Sequence, residues 1–272
     1  MVGAALLQGS RMLEDAGVAA PRLTAEVLLA HAMRHNREWL YAHSEQELAE
    51  VEWIHYGRYL HERLNGKPTQ YITKRQEFYG REFRVTADVL IPRPETEHVV
   101  EVALRLGGAS VIDIGAGSGA LAITLQLETG ANAIGTDIST AALALAAENA
   151  RRLSARVSLV ACDLLSAIAD GAADLIVSNP PYVPTAHRDS LQREVRDFEP
   201  EVALFGGATG FEIYDRIVAD APRVLRPGGW LVMELGFGCR DHVAGLLESW
   251  HEMRIEPDLA GIPRVIAARR RA

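Results

Sequence analysis

Residues 111–123 have the sequence Val111-Ile112-Asp113-Ile114-Gly115-Ala116-Gly117-Ser118-Gly119-Ala120-Leu121-Ala122-Ile123. The apolar run that opens this stretch is typical of a buried parallel strand, and the residues after Gly119 begin a helix. Glycine has no side chain, so the turn between these two elements lets the backbone approach a ligand closely. The stretch therefore predicts an α/β fold with a ligand at the end of a strand.

Outward from this stretch, apolar strands alternate with helical segments from about residue 94 onward. The predicted strands are Ser110 to Ile114, Asn132 to Asp137, Val157 to Ala161, Ala173 to Val177, Trp230 to Leu235 and Arg264 to Ala268. Such alternation implies right-handed crossovers and a parallel sheet. We predict one α/β domain over residues 94–272.

The residues before this domain have a different pattern. Residues 1–75 carry apolar residues at helical spacing and predict a small helical domain. Within it, Ser44-Glu45-Gln46-Glu47 is typical of a capping box that opens the last long helix, and Asn65-Gly66-Lys67-Pro68 is typical of its end. Aromatic and β-branched residues around a glycine between Glu77 and Val85 predict a β-hairpin, which makes residues 76–93 a linker.

The glycine turn by itself is compatible with two classes of cofactor. Gly115-x-Gly117-x-x-Ala120 nearly matches a dinucleotide fingerprint, so a nicotinamide enzyme and an S-adenosylmethionine enzyme both remain open at this point. Asp137 ends the second strand, where either class uses a carboxylate to accept hydrogen bonds from ribose hydroxyls. The alternative for this residue is a turn or a helix N-terminus.

Two residues after the third strand extend the candidate cofactor site. Asp163 is placed to accept a hydrogen bond from an adenine amine, and Leu164 is placed to cover the ring. Aspartate after a strand is also a common turn residue, which is the alternative interpretation.

The fourth strand is followed by Asn179-Pro180-Pro181-Tyr182, which we call the clamp. The Asn179 side-chain oxygen and the Pro180 carbonyl can each accept one N–H of a planar NH2 group, while Tyr182 offers a flat wall. This grip favours a pyramidal nitrogen whose lone pair points at an electrophilic methyl. Taken alone, the four residues also suit an ordinary turn. A glycine turn, two carboxylates and the clamp in strand order favour methyl transfer over hydride transfer.

Composition bounds the remaining possibilities. A chain of 272 residues with 48% hydrophobic residues can fill a sizeable core, and its formal net charge of −8 argues against a protein that lives on DNA. Cys162 and Cys239 lie far apart and outside any paired metal-binding pattern, which favours a reduced, cytoplasmic protein. The N-terminus lacks a signal-peptide pattern, and no apolar stretch approaches the ~20 residues of a membrane span.

One pair of histidines has the spacing of metal ligands. His31 and His35 lie four apart on a predicted helix, but no third ligand accompanies them in the sequence. We interpret them as a solvated or packed pair.

With these residues in hand, the chain resembles the release-factor glutamine methyltransferases, which methylate the side-chain amide of the glutamine in the Gly-Gly-Gln motif of bacterial peptide-chain release factors. The most distinctive segment is Val89-Leu90-Ile91-Pro92-Arg93-Pro94-Glu95-Thr96-Glu97. The resemblance covers nearly the whole chain and includes residues 21–26, 66–72, 77–80, 199–200, 206–207 and 258–261, with Leu204, Gly210 and Tyr214.

This resemblance implies a class I methyltransferase, with a Rossmann-like, seven-stranded, mostly parallel sheet. It implies that S-adenosylmethionine is the cofactor and S-adenosylhomocysteine the product, with no metal. The implied cofactor-binding residues are Gly115, Ala116, Gly117, Ser118, Gly119, Asp137, Asp163, Leu164 and Asn179. The substrate glutamine would lie at Asn179, Pro180, Pro181 and Tyr182, with Asn179 and Pro180 as the catalytic pair.

The resemblance also implies a partner. Residues 1–75 resemble the family's docking domain for release factors, and we expect no membrane and no direct nucleic-acid binding. No feature of the sequence requires an oligomer, and we expect a monomer. Arg93 and Glu95 lie near the cleft by analogy, and a structural salt bridge is an equally good interpretation of them.

Two departures from the family pattern stand out. Thr73-Lys74-Arg75-Gln76 lacks the glycine usual after the preceding Tyr-Ile pair, and Cys239 stands where members often have Gln. Three other functions compete: a glutamine methyltransferase of a ribosomal protein, an adenine-amine methyltransferase of DNA acting on a flipped base, and a non-catalytic S-adenosylmethionine-binding protein.

Overall fold

The apolar strands pair into a seven-stranded sheet in the order β10-β11-β9-β6-β3-β4-β5. This arrangement is taken from a computed structural model that describes residues 1–258 and 260–271. The strands are β1 Arg75–Phe78, β2 Arg81–Arg84, β3 Ser110–Ile114, β4 Asn132–Asp137, β5 Val157–Ala161, β6 Ala173–Ser178, β7 Val183–Pro184, β8 Phe205–Gly207, β9 Leu225–Glu234, β10 Glu252–Pro257 and β11 Pro263–Arg269.

The helices are distributed along the whole chain. They are α1 Val2–Asp15, α2 Pro21–Met33, α3 Arg37–Ala42, α4 Glu50–Leu64, α5 Thr69–Thr73, α6 Glu97–Leu106, α7 Ala120–Thr129, α8 Thr140–Leu153, α9 Arg193–Phe198, α10 Glu201–Leu204, α11 Glu212–Val224 and α12 Arg240–Leu246. Short 3-10 helices cover Pro94–Thr96 and Thr185–Ser190. In the described part of the chain, no helix has the length and apolar character to cross a membrane.

The sheet is parallel at its centre and antiparallel at one edge. β3 pairs in parallel with both β4 and β6, while β11 pairs antiparallel with β9 and with β10. The chain first moves outward from β3 to β4 and β5 and then returns to the other side of β3 as β6. The cleft above the carboxyl ends of β3 and β6 is therefore the switch point where open α/β sheets bind ligands.

These features confirm the predicted fold class. The predicted bounds of β3, β4 and β5 agree with the structure, and the predicted hairpin forms as β1 and β2. Two of its aromatic side chains, Phe78 and Phe83, are buried edge to face with ring centres 6.1 Å apart.

The chain divides into two compact units. One comprises residues 1–75 together with 192–198, and the other comprises residues 76–191 with the described residues from 199 onward. In the smaller unit, α1 lies against Tyr56 because Gly9 has no side chain: a Cβ there would lie 2.0 Å from the Tyr56 hydroxyl oxygen. Leu13, Leu28 and Leu29 are buried in the same core.

The predicted capping box at residues 44–47 is wrong. Helix α4 begins at Glu50, and the Glu52 carboxylate accepts the backbone N–H of Ala49 at 2.8 Å. The predicted end is confirmed, since α4 stops at Leu64 and Gly66 follows with φ +96°. Leu259, part of the family-like segment 258–261, and the terminal residue 272 lie outside the described residues.

Candidate active site

The glycine turn after β3 has the open backbone that the sequence predicts. Gly115, Gly117 and Gly119 have φ values of +73°, +54° and +83°, a region that favours glycine. A Cβ on Gly115 would meet no protein atom within 4 Å and would project into open space. Gly119 has a different role, because a Cβ there would lie 2.7 Å from Ile123 Cδ1 in the first turns of α7. The turn thus exposes backbone at its start and packs tightly at its end.

Asp137 is tied to this turn. One carboxylate oxygen accepts the backbone N–H of Gly117 at 2.9 Å, and the other accepts the N–H of Ser139 at 2.8 Å. Each carboxylate oxygen can accept more than one hydrogen bond, so the side chain also has capacity for hydroxyl donors in the cleft. Asp137 therefore joins the ends of β3 and β4 at the candidate cofactor site.

Asp163 and Leu164 lie at the predicted position after β5. The Asp163 carboxylate accepts a hydrogen bond from Arg216 Nη2 at 2.6 Å, and both side chains are about half exposed. Leu164 has φ +52°, which is unusual for a residue with a side chain. Arg216 was not identified from the sequence as the partner of Asp163.

The clamp follows β6 on the other side of the switch point. Asn179 is half-buried, and its Nδ2 donates to the Thr96 hydroxyl at 3.0 Å. Pro180 is buried, and Tyr182 packs against the core, where burial and the nearby Glu234 raise the pKa of its phenol to about 12. The tyrosine therefore stays neutral at physiological pH, and its ring is packed against the core.

Three glycines pack directly on the clamp. A Cβ on Gly206 would lie 2.5 Å from the Pro181 carbonyl oxygen, and one on Gly210 would lie 2.4 Å from the Tyr182 carbonyl oxygen. A Cβ on Gly236 would lie 2.4 Å from Tyr182 Cδ2. The clamp backbone and its aromatic ring are thus held in place by close approach of other chain segments.

A cleft of about 240 Å³ connects these parts. It brings together the predicted residues Gly115, Ala116, Gly117, Ser118, Asp137, Asp163, Leu164, Asn179 and Pro181. Gly119, Pro180 and Tyr182 are not among its lining residues. Gly119 ends the glycine turn, and Pro180 and Tyr182 belong to the clamp. Sequence reasoning missed several further lining residues, among them Thr96, Asp113, Ser139 and Arg216.

Asp113 is the most informative of the missed residues. It lies in β3 with no solvent exposure, and its Oδ2 accepts the backbone N–H of Ala122 at 3.0 Å. Its other oxygen has no hydrogen-bond partner among the described residues. Burial raises the pKa of this carboxyl to about 7. A polar residue inside an otherwise apolar strand was the signal that could have identified it.

The linker also contributes to the site. Asp88, Leu90 and Pro92 line the cleft. Arg93 forms an ion pair with the buried Glu199, with 2.5 Å between Nη2 and Oε1. Of the two interpretations of Arg93 from the sequence, this ion pair agrees with the structural salt bridge.

The histidine pair in the smaller unit is packed, as interpreted from the sequence. His35 stacks on Trp39 with ring centres 3.8 Å apart, and the His31 ring lies 5.2 Å from that of Tyr59. Across residues 1–258 and 260–271, no group of three or more His, Cys, Asp or Glu side chains is arranged to hold a metal ion.

Two families of known sequences match the chain. Residues 4–73 match the family described as PrmC N-terminal domain, and residues 96–195 match the methyltransferase small domain. The first match falls within the smaller compact unit. The second contains the glycine turn, Asp137, Asp163 and the clamp.

Individual relatives match over almost their whole length. The release factor glutamine methyltransferase of Koribacter versatilis is 45% identical, over 95% of this chain and 94% of the relative. That of Nitratidesulfovibrio vulgaris is 43% identical, over 97% and 94%. Among solved structures, a methyltransferase from Pyrococcus furiosus superposes with a TM-score of 0.57 over 79% of this chain and 100% of that one, at 17% identity, which supports the fold.

Proposed function

The chain belongs to the release factor glutamine methyltransferases, and we propose that it transfers a methyl group from S-adenosylmethionine to the glutamine side-chain amide of the Gly-Gly-Gln motif in peptide-chain release factors. The observation that carries this proposal is the position of the clamp. Asn179 and Pro181 line the same cleft as the glycine turn and Asp137, on the two sides of the sheet's switch point.

The residues of the cleft suit S-adenosylmethionine. The turn at Gly115 leaves room where a side chain would project, and Asp137 offers carboxylate oxygens to ribose hydroxyls. Asp113 adds a buried oxygen that lacks a protein partner. Asp163 and Leu164 complete the lining at the end of β5. We assign cofactor binding to these residues together with Ala116, Gly117, Ser118, Gly119 and Asn179.

The chemical difficulty lies in the target nitrogen. The lone pair of an amide nitrogen is delocalised into its carbonyl, so the nitrogen is a poor nucleophile. If the Asn179 Oδ1 and the Pro180 carbonyl each accept one N–H, the NH2 group is held in a fixed position and its lone pair is directed along one line. Tyr182 restricts the plane of the amide from the side.

When bound, S-adenosylmethionine supplies a methyl group on a positively charged sulfur. With the cofactor held by the Gly115 turn and Asp137, a glutamine nitrogen positioned by Asn179 and Pro180 would take this methyl group, and the electrons of the broken carbon–sulfur bond would remain on the sulfur. The alkylated nitrogen then loses one proton to water, which restores a neutral amide. Positioning supplies most of the acceleration in this scheme, so the chain needs neither a strong base nor a metal ion.

The other assignments rest on the same proposal. Residues 4–73 match the PrmC N-terminal domain, and we assign docking of the release factor to residues 1–75, with residues 76–93 as linker and 94–272 as the methyltransferase domain. We further propose a monomeric, cytoplasmic enzyme that does not bind nucleic acid directly.

The experiment is a methylation assay with the purified chain, S-adenosylmethionine and an unmodified bacterial release factor, followed by peptide mass spectrometry. We expect one added methyl on the glutamine of the Gly-Gly-Gln peptide. Methyl only on other peptides would contradict the proposal, and an added ribosomal protein or DNA duplex in parallel reactions tests the competing substrates.

Asn179→Ala separates catalysis from cofactor binding. We expect it to abolish turnover while sparing most of the cofactor affinity, measured by calorimetry. Asn132→Ala is the matched control, because Asn132 is exposed at the opposite, amino end of β4. Turnover by Asn179→Ala equal to that of the control would refute the clamp assignment.

A further inference from the structure

The side-chain amide of Asn179 has an orientation problem. A half-turn of the amide exchanges its oxygen and its NH2 group, which are similar in size. The oxygen accepts a hydrogen bond from the N–H of a target amine, whereas the NH2 group is itself a donor and would repel that N–H. The proposed clamp works only if the oxygen faces the target. A neighbouring protein group must therefore fix the rotation of the amide, so that its oxygen faces the target.

A short chain of buried groups contacts the nitrogen end. Asn179 Nδ2 donates to Thr96 Oγ1 at 3.0 Å, and Thr96 Oγ1 donates to Glu234 Oε2 at 2.6 Å. Thr96 is 5% exposed and Glu234 is 2% exposed, so solvent does not compete for these groups. The three residues come from the end of β6, the 3-10 helix before α6, and the end of β9.

The carboxylate imposes a direction on this chain. An ionised carboxylate can only accept hydrogen bonds, and a hydroxyl carries one proton. Thr96 must therefore donate its proton to Glu234 and present a lone pair to Asn179. A lone pair attracts the NH2 end of the amide and repels the oxygen. The amide oxygen is then turned away from Thr96.

We propose that Thr96 and Glu234 are positioning residues for methyl transfer, and that their hydrogen-bond chain keeps the Asn179 oxygen directed toward the target amide. This inference rests on the proposed function. Neither residue touches the reacting atoms in this scheme, because both act through Asn179.

The surroundings of Glu234 support this role. The Tyr214 hydroxyl donates to the Glu234 backbone carbonyl at 2.8 Å and accepts the N–H of Gly236 at 3.1 Å, which holds the end of β9. Burial raises the pKa of the Glu234 carboxyl to about 7 and Glu95 adds to the shift, while Thr96, Arg264 and Arg93 favour the ionised form. An assay at about pH 8 therefore keeps the carboxylate mostly ionised.

The test compares Thr96→Val with Thr96→Ser. Valine keeps the shape of threonine and removes the hydroxyl, whereas serine keeps the hydroxyl and removes a methyl. We measure kcat and KM with an unmodified release factor at about pH 8, and cofactor affinity by calorimetry. We expect Thr96→Val to lower kcat by about 10- to 100-fold, the effect of one lost hydrogen bond of this kind, with a much smaller change in cofactor affinity. Thr96→Ser should restore most of the rate.

Glu234→Gln supplies a second, independent variant. Glutamine keeps an acceptor but loses the charge, so Thr96 is no longer compelled to donate. We expect a smaller fall in kcat than with Thr96→Val, again without a change in cofactor affinity. Circular dichroism and thermal unfolding of every variant show whether it has folded.

The outcomes separate this inference from the proposed function. A wild-type chain that leaves the release-factor glutamine unmodified would overturn the proposed function and the inference with it. An active wild type with an equally active Thr96→Val would overturn the inference alone. So would a Thr96→Ser variant as slow as Thr96→Val, or a fall in rate matched by an equal loss of cofactor affinity, since either result indicates packing rather than orientation.

Discussion

Replacing Gly236 with alanine should displace the clamp while leaving all four of its residues unsubstituted. Gly236 follows β9 and is buried, and its φ is not among the positive values, so alanine suits its backbone. The added Cβ would lie 2.4 Å from Tyr182 Cδ2, 2.5 Å from Cγ and 3.0 Å from Cβ. The shortest of these falls roughly 1.1 to 1.6 Å inside the usual carbon–carbon separation of about 3.5 to 4.0 Å.

The size of this overlap sets the expected effect. Tyr182 is packed against the core and cannot swing freely, so its ring and the attached clamp backbone must shift by up to about 1 Å, a misplacement that can lower a rate about 100-fold. Overpacking of this kind also costs about 1 to 3 kcal/mol of unfolding free energy. Cofactor affinity should change little, because Gly236 does not line the cofactor cleft.

The assay is single-turnover methylation of a release factor, with thermal unfolding and cofactor calorimetry on the same samples. Gly245→Ala is the control: Gly245 is exposed in α12, and a Cβ there meets nothing within 4 Å. The control should keep full activity and gain up to about 1 kcal/mol of stability from helix propensity. A Gly236→Ala rate equal to that of the control would refute the argument that Tyr182 must remain where the structure places it.

Three other perturbations address separate features. Asp137→Ala removes the acceptor of the Gly117 N–H and of ribose hydroxyls, so we expect calorimetry to show about 10- to 100-fold weaker cofactor binding; unchanged affinity would contradict this. Glu26 is 2% exposed, and although burial opposes its ionisation, hydrogen bonds from Tyr41 and two arginines lower its pKa below the ordinary 4.5. Glu26→Gln should therefore lower the unfolding free energy by about 1 to 2 kcal/mol at neutral pH, since both arginines are nearly half exposed and partly screened. This loss of unfolding free energy, relative to the wild type, should shrink as the pH falls below 4.5 and through the lowered pKa of Glu26. A loss that thermal unfolding shows to be independent of pH would count against the ionic explanation. Phe237 is 94% exposed in the loop that carries Gly236, so Phe237→Ala should raise KM for the release factor without lowering stability, and an unchanged KM would exclude it from substrate contact.

The order of strands and the place of the cofactor turn follow from local patterns. The apolar run of β3 is buried on both faces, and β4 is at least partly buried after Asn132. The first of these strands ends just before Gly115 and the second at Asp137, so their bounds are visible in the sequence. Edge strand β10 has the sequence Glu-Met-Arg-Ile-Glu-Pro and was not predicted, because its pairing with β11 rather than its own apolar content makes it a strand.

The same distinction applies to the site. The glycine turn, Asp137 and the clamp each follow a strand, and parallel strands bring their carboxyl ends to one edge of the sheet, so residue type and order along the chain predict which residues share a cleft. The partners of those residues are different. Thr96 and Glu234 lie 83 residues before Asn179 and 55 after it, and Arg216 lies 53 residues after Asp163. A pattern of neighbouring residues carries no information about such separations. Those contacts depend on the strand register, on the exclusion of water, and on the close approach that Gly206, Gly210 and Gly236 permit. All three conditions are met only once the sheet has formed.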